Sequence, residues 1–128
     1  MEFENKDVVM VYDTDYQGVA HYASYYRFVT NALYALVKRN LGNILDKYNI
    51  WFVIVESHAS YKRPLKVGDE ITVKIKTKLL DKKSIRFDFS IYKDNELTTE
   101  GYLIQVAISK NLWHAVEMPN EIIELLKD

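Results

Sequence analysis

Most of the side chains that could do chemistry in this chain lie in one segment, DTDYQGVAHYASYYRF, which runs from residue 13 to residue 28. The segment holds two carboxylates, a glycine, a histidine and four tyrosines. A carboxylate just before a helix can activate water or attack a carbonyl carbon, and the unpaired N–H groups of the first helical turn can hold the resulting oxyanion. Asp15 is therefore a candidate catalytic carboxylate. Asp and Thr in such a segment also commonly form turns or cap helices, and the residue types alone leave that alternative open.

Three neighbours of Asp15 bear on this chemistry. Asp13 lies two residues earlier and could raise the pKa of Asp15 by like-charge repulsion, although a solvated loop carboxylate is the more common case. His21 could contact substrate or water, or it could pack near the start of the helix. Gly18 would let the backbone approach a substrate closely.

The residue inventory excludes several other kinds of chemistry. The chain has no cysteine, which excludes a disulfide, a thiolate nucleophile and a cysteine metal site. The 18 acidic and 17 basic residues almost cancel, so no global field would draw the protein onto nucleic acid or an anionic membrane. The N-terminal residues lack the basic start and apolar run of a signal peptide, and no segment approaches the roughly 20 apolar residues that span a bilayer. We expect a cytoplasmic protein that meets any anionic ligand through a local patch of charge.

Hydrophobic periodicity predicts the elements that position this segment. The apolar run from Val8 to Tyr12 predicts a first strand, which ends at the polar DTDYQG loop. A buried helix follows, ended by Gly42. Its apolar stripe has members at three- and four-residue spacing, which are Tyr22, Tyr25, Phe28, Val29, Ala32, Leu33, Leu36 and Val37.

Four strands and a short helix are predicted after the long helix. Residues 51–64 begin as an apolar run, expected to be buried, and then alternate up to Pro64, which ends the strand or marks an edge. Strict alternation predicts strands at 71–79 and 85–91, and a further strand at 97–109 follows the KDNE turn. Residues 119–127 predict the short helix, with Asn120 as its cap. The order predicts one α+β domain over residues 1–128, a five-stranded antiparallel sheet wrapped around one helix. One helix covers only one face of that sheet, so we expect a homo-oligomer.

Within the segment that holds Asp15, the sequence resembles the 4-hydroxybenzoyl-CoA thioesterase family of hotdog-fold proteins. The family pattern is T-D-x-x-G-V, an aromatic or polar pair and then a tyrosine, and the matching residues are Thr14, Asp15, Gly18, Val19, His21, Tyr22 and Tyr25. ESHASYKRPLKVGDEITV is similar to the family's second and third strands, DKKSIRF to the hairpin that follows, and VEMPNEIIELL to its C-terminal end. The resemblance covers almost the whole chain and matches the element order predicted above.

The resemblance implies hydrolysis of an acyl-CoA thioester, with Asp15 as nucleophile or general base. The backbone N–H of Tyr22 would polarise the thioester carbonyl, and Gly18, Val19 and Tyr25 would contact the substrate. No metal or cofactor is implied, because the thioester is already activated and coenzyme A is part of the substrate.

The turn between the second and third of the four strands is where the resemblance places the CoA phosphates. Lys82, Lys83 and Ser84 match a basic segment that contacts them, and lysines suit a polyanion because each is a mobile point charge. The same lysines in a generic turn would serve only solubility. Asp81 stands where some relatives have a basic residue.

Other positions depart from the family or leave alternatives open. Ala20 stands where valine is usual and Val8 where Gln or Arg is common, which bears on the shape of the acyl pocket. Arg63 could be structural or could line a CoA channel. Glu56 and His58 share a strand face and could be mistaken for an acid–base dyad or for half of a metal site, although polar groups at an interface are more common. The predicted helix has no Asp or Glu from residue 23 to residue 39, which leaves Asp15 as the favoured carboxylate.

The sequence is compatible with two rival functions and leaves three details open. A hotdog enoyl-CoA hydratase needs a nearby Asp and His, but its spacing and its Asn-Pro are missing here. A non-catalytic acyl-CoA binding module is the other rival. Tyr16, Tyr25 or Phe28 could line an aromatic acyl site, and aliphatic groups are equally compatible. Coenzyme A or an acyl carrier protein could carry the acyl group, and the site could lie at the subunit interface of a homodimer or a homotetramer.

Overall fold

The computed structural model describes residues 1–127, and its largest element is a five-stranded antiparallel sheet in the order β1-β3-β4-β5-β2. The strands are β1 (Glu2–Val8), β2 (Ile50–Tyr61), β3 (Glu70–Leu79), β4 (Ser84–Lys93) and β5 (Glu96–Ser109). Helix α1 (Ser24–Leu36) continues through a π-helical turn (Val37–Leu41), and α2 (Ile44–Lys47) and α3 (Asn120–Leu126) are short. The predicted sheet, long helix and short terminal helix are confirmed.

The core lies between α1 and the inner face of the sheet. Alternate residues of β3 and β4 are buried, and their neighbours face outward, as the two-residue period predicts. The helix contributes the fully buried Phe28, Val29, Ala32 and Leu36. Gly42 ends this helical stretch with a positive φ of 51°, and its N–H donates to the Val37 carbonyl. Tyr22 precedes the helix and is exposed, so it does not belong to the apolar stripe.

Three local predictions are wrong for reasons that depend on tertiary structure. The first strand is Glu2–Val8 rather than Val8–Tyr12, because it pairs along its whole length with β3, and Val11–Asp13 forms a 3₁₀ turn. The cap of α3 is Pro119, and Asn120 is the first helical residue. The start of β2 is not buried as a whole, because β2 is an edge strand.

The two edges of the sheet differ in chemistry. The β1 edge alternates charged and half-buried residues, as is usual for an exposed edge. The β2 edge carries Trp51, Ile54 and Val55, each about half exposed or more. Within residues 1–127, no helix has the length and hydropathy to cross a bilayer.

Candidate active site

Asp15 lies on a short loop that is closed by backbone hydrogen bonds. Thr14 and Ala20 form an antiparallel bridge, the Asp15 N–H donates to the Val19 carbonyl at 3.0 Å, and the Gly18 N–H donates to the Asp15 carbonyl at 3.0 Å. Gly18 has a φ of +82°, which a glycine adopts without steric cost. This loop is tied to the segment before β3, because the Ala20 N–H donates to the Leu65 carbonyl at 2.7 Å. The backbone that carries Asp15 is therefore fixed on both sides.

The carboxylate of Asp15 is half-buried and only lightly engaged. One oxygen accepts the Gln17 N–H at 2.8 Å. Within residues 1–127 no lysine, arginine or histidine forms a salt bridge with it. Its second oxygen accepts no hydrogen bond from residues 1–127.

Asp13 has the opposite environment. Its side chain is 2% exposed, Arg27 Nε donates to it at 2.6 Å and Arg27 Nη2 donates to its other oxygen. The Met10 N–H donates to the same carboxylate at 2.8 Å. Burial raises the pKa of Asp13, but the hydrogen bonds from Arg27 and Met10 outweigh it and hold this pKa below its ordinary value. Asp13 is thus a buried ion-pair partner, and the expectation of a solvated loop carboxylate is wrong.

The start of α1 presents an unpaired backbone donor. The helix has no side-chain cap and no acidic residue in its first turn. The His21 N–H donates to the Asp13 carbonyl at 3.0 Å, whereas the Tyr22 N–H has no acceptor among residues 1–127. An N–H group in this position is suited to a developing negative charge, since the helix dipole acts in the same direction.

A cleft of about 330 Å³ opens beside this helix start. Its lining residues are Ala20, Tyr22, Tyr25, Tyr61, Lys62, Arg63 and Pro64. The rings of Tyr25 and Tyr61 meet edge to face, with their centroids 4.9 Å apart. Burial raises the pKa of the Tyr25 phenol, and Tyr61 raises it further.

The other predicted contacts fall in different places around the cleft. Gly18 and Val19 shape the Asp15 loop and do not line the cleft. Tyr16 is 95% exposed and Phe28 lies in the core, so neither lines it. Arg63 lines the cleft and also pairs with Glu96. His21 is half-buried between the loop and the helix.

The predicted phosphate-binding turn lies at the opposite end of the sheet from Asp15. The Asp15 loop adjoins the start of β3, and Lys82, Lys83 and Ser84 follow its end. The ten residues of β3 therefore separate the Asp15 loop from the lysine turn by about 33 Å, at 3.3 Å per residue. Asp81 shapes this turn by accepting the N–H groups of Lys83 at 2.7 Å and Ser84 at 2.8 Å, and those bonds lower its pKa. A single chain does not bring the lysines to the carboxylate.

The family of this chain follows from comparison with known proteins. A family model described as the thioesterase-like superfamily matches residues 9–126. The chain belongs to the thioesterase-like superfamily. A 1,4-dihydroxy-2-naphthoyl-CoA hydrolase from Synechococcus sp. (strain CC9605) is 25% identical over 118 residues, which cover 86% of this chain and 79% of that protein.

Solved structures of similar proteins confirm the predicted hotdog fold. The 1,4-dihydroxy-2-naphthoyl-CoA thioesterase Slr0204 from Synechocystis superposes with a TM-score of 0.88 at 17% identity, over 98% of this chain and 96% of that one. Protein SAV2348 from Staphylococcus aureus, solved in complex with CoA, superposes with a TM-score of 0.87 at 16% identity, over 98% of this chain and 81% of that one.

Sequence reasoning missed three residues that organise the site of this superfamily member. Arg27 pairs with Asp13, Ser24 bonds the backbone before the helix, and the Tyr61 hydroxyl donates to the Tyr22 carbonyl at 3.0 Å. The available signal for the ion pair was the position of Arg27 itself. It is a charged residue between Tyr26 and Phe28, at the flank of an apolar stripe, where a cation needs a partner. Nothing in the spacing pointed to Tyr61, which lies 39 residues from Tyr22.

Glu56 and His58 do not form an acid–base dyad. Both contact Tyr102 on the outer face of the sheet, where the Tyr102 hydroxyl donates to Glu56 at 2.5 Å and the His58 ring stacks at 5.5 Å. Among residues 1–127 no three His, Asp or Glu side chains are placed to hold a metal ion.

Proposed function

We propose that this protein hydrolyses acyl-CoA thioesters to a free acid and CoA, with Asp15 as the catalytic carboxylate. The observation that carries the proposal is the lightly engaged carboxylate of Asp15 on the loop that leads into an uncapped helix start with an unpaired N–H at Tyr22. Membership of the thioesterase-like superfamily supports it, as do a relative named as a CoA-thioester hydrolase and a similar structure in complex with CoA.

The chemistry would use these groups in two steps. The Tyr22 N–H donates to the thioester oxygen and stabilises the oxyanion that forms when the carbonyl carbon is attacked. Asp15 either attacks that carbon, forming an anhydride that water then hydrolyses, or takes a proton from an attacking water. In both routes the C–S bond breaks, CoA leaves as a thiolate that takes up a proton, and the acyl group leaves as the acid.

The acyl group would enter the cleft beside the helix. Tyr22, Tyr25 and Tyr61 give this cleft an aromatic lining, which suits an aromatic acyl group through edge and face contacts. The same surface accepts an aliphatic chain through burial alone. A panel of substrates decides between them.

The active form would be a homodimer joined along β2. A long edge strand with exposed apolar side chains pairs readily with another strand, and a closed two-fold dimer pairs it with its own copy. Trp51, Ile54 and Val55 would be covered in that interface.

Antiparallel pairing of two β2 strands would also complete the CoA site. β2 runs from Ile50, opposite Ser109 of β5, to Tyr61, opposite Thr99, and so runs toward the end of the sheet that holds Asp15. A two-fold axis at this edge reverses the second copy. Its Lys82 and Lys83 then lie at the same end as the first copy's Asp15, where one subunit can hold the phosphates of a substrate that the other cleaves.

Sedimentation of the Ile54→Lys variant tests the dimer. The wild type is expected at the mass of two 15.1 kDa chains, and the variant at the mass of one, because a buried lysine opposes the pairing. Leu80→Lys places the same charge on an exposed residue away from β2 and is expected to remain a dimer. A dimeric Ile54→Lys protein would exclude this interface.

Thiol release from a panel of acyl-CoAs tests the reaction. The panel contains aliphatic chains of several lengths, benzoyl-CoA and phenylacetyl-CoA, with acyl carrier protein thioesters as a separate arm. We expect the wild type to cleave one group and Asp15→Asn to lose at least a thousandfold in kcat. Binding of acyl-CoA without cleavage would refute hydrolysis and support a binding module instead.

A further inference from the structure

The peptide unit between His21 and Tyr22 has one end bonded and one end open. Its carbonyl accepts two hydrogen bonds from Ser24, one from the backbone N–H at 3.0 Å and one from the hydroxyl at 2.6 Å. Its N–H is the unpaired donor of Tyr22. Any change at the carbonyl therefore acts directly on that donor.

The other polar backbone atoms of His21 and Tyr22 are all hydrogen-bonded within the chain. The His21 N–H donates to the Asp13 carbonyl at 3.0 Å, and the Tyr22 carbonyl accepts the Tyr61 hydroxyl at 3.0 Å. Of the four polar backbone atoms of His21 and Tyr22, three are bonded within residues 1–127 and the fourth is the Tyr22 N–H. Among the backbone atoms of these two residues, the Tyr22 N–H is the one free donor, and the three bonds around it fix its orientation.

Ser24 does not perform the usual task of a serine at a helix start. A capping serine accepts an N–H of the first turn through its hydroxyl oxygen. Ser24 is the first residue of α1, its side chain is buried at 3% exposure, and its hydroxyl donates back to the His21 carbonyl. The N-cap of α1 is Ala23, which has no hydroxyl, so the N–H groups of the first turn receive no side-chain cap.

We propose that Ser24 is a positioning residue for thioester hydrolysis, whose hydroxyl orients and polarises the His21–Tyr22 peptide so that its N–H receives the oxyanion. The inference rests on the proposed function. A carbonyl that accepts a strong hydrogen bond makes the N–H of the same peptide a stronger donor, since hydrogen bonds in a chain polarise one another. Burial of the hydroxyl keeps water from competing for the bond.

The expected effect is small and specific. Loss of a whole oxyanion donor lowers kcat by about 10²–10³, and one bond in a chain strengthens the next by roughly 10–30%. Removal of the Ser24 hydroxyl should therefore lower kcat by about two- to eightfold, with KM unchanged, because the donor acts mainly on the transition state.

The first test is kinetic. Ser24→Ala, Ser24→Thr and Thr77→Val are compared with the wild type on the acyl-CoA that the substrate panel identifies. Thr77 is a matched control, because it is fully buried and its hydroxyl donates to a backbone carbonyl at the other end of the sheet. We expect Ser24→Ala alone to lose kcat, and Ser24→Thr to recover it because the hydroxyl is retained.

The second test is spectroscopic and does not depend on turnover. In an Asp15→Asn background that leaves the substrate intact, the stretching frequency of a ¹³C-labelled thioester carbonyl should fall on binding. Adding Ser24→Ala should reduce this shift, and adding Thr77→Val should not. If Ser24→Ala matches the control in kcat and in carbonyl shift, the role of Ser24 is refuted and hydrolysis stands. If the wild type cleaves no acyl-CoA, the proposed function fails and the role of Ser24 fails with it.

Discussion

Two carboxylates that lie two residues apart have opposite environments. Asp13 ends a turn, and Asp15 lies on the loop that begins at Thr14. Asp13 is buried, paired with Arg27 and bonded to the Met10 N–H. Asp15, two residues later, is half-buried and accepts one N–H, from Gln17. The first carboxylate has no free capacity to act on a substrate, and the second has an open oxygen.

The difference supports a structural role for Asp13 and the proposed catalytic role for Asp15. Arg27 neutralises Asp13 and thereby fixes the turn whose backbone carbonyl holds the His21 N–H. That fixed turn positions the loop of Asp15 without occupying its carboxylate. We therefore expect Asp13 to contribute to stability and Asp15 to catalysis.

The largest expected effect on stability is that of Asp13→Asn. Breaking a buried ion pair by removing one partner costs about 3–5 kcal/mol, and we expect about 3 kcal/mol because Arg27 is partly exposed and keeps a contact with Asp7 at 3.6 Å. Urea unfolding measures it. Asp7→Asn is the matched control, expected to cost less than about 1 kcal/mol since its partner stays paired with Asp13. Equal losses in the two variants would contradict the distinct role of Asp13.

The stabilising effect of Asp13 should depend on pH in one direction. Its pKa in the folded protein lies below the ordinary value of 3.8, so its contribution is complete above about pH 5 and is lost as the pH falls through the folded pKa. The difference in unfolding free energy between wild type and Asp13→Asn should thus shrink on acidification below about pH 4, by at most about 1.4 kcal/mol per pH unit. A difference that grows toward acid pH would reverse the assignment.

The smallest effect is expected at the turn remote from Asp15. Lys82→Ala and Lys83→Ala together should raise KM for acyl-CoA by about fivefold and leave kcat unchanged, and the increase should diminish at high salt. Lys76→Ala removes an exposed lysine from the outer face of β3 and should change neither constant. An unchanged KM in the double variant would remove these lysines from the CoA site.

Local patterns in the sequence predict the sheet well where burial alternates. β3 and β4 each have one buried and one outward face, so their two-residue period marks them directly. The end of the helical stretch formed by α1 and the π-helical turn was also predictable, because Gly42 takes a positive φ that closes it.

Features that depend on distant residues were not predictable from those patterns. The first strand is displaced from the predicted Val8–Tyr12 because β1 pairs with the distant β3, and the 3₁₀ turn that takes its place is held by a bond from Arg27, 14 residues from Asp13. Trp51 and Ile54 are exposed because strand order places β2 at the edge. The ten residues of β3 hold Lys82 far from Asp15, because the Asp15 loop bonds to the segment before β3, and no local pattern predicted those bonds.

The central claim is that Asp15 acts in catalysis and Asp13 in stability. The most direct test measures kcat for acyl-CoA hydrolysis and the free energy of unfolding, each for both Asp15→Asn and Asp13→Asn. We expect Asp15→Asn to lose at least a thousandfold in kcat and to keep its free energy of unfolding within about 0.5 kcal/mol of the wild type, because the Asp15 carboxylate makes few contacts. We expect Asp13→Asn to lose about 3 kcal/mol of stability and to retain most of its kcat when folded. An Asp15→Asn enzyme that still hydrolyses the thioester at the wild-type rate would contradict the claim.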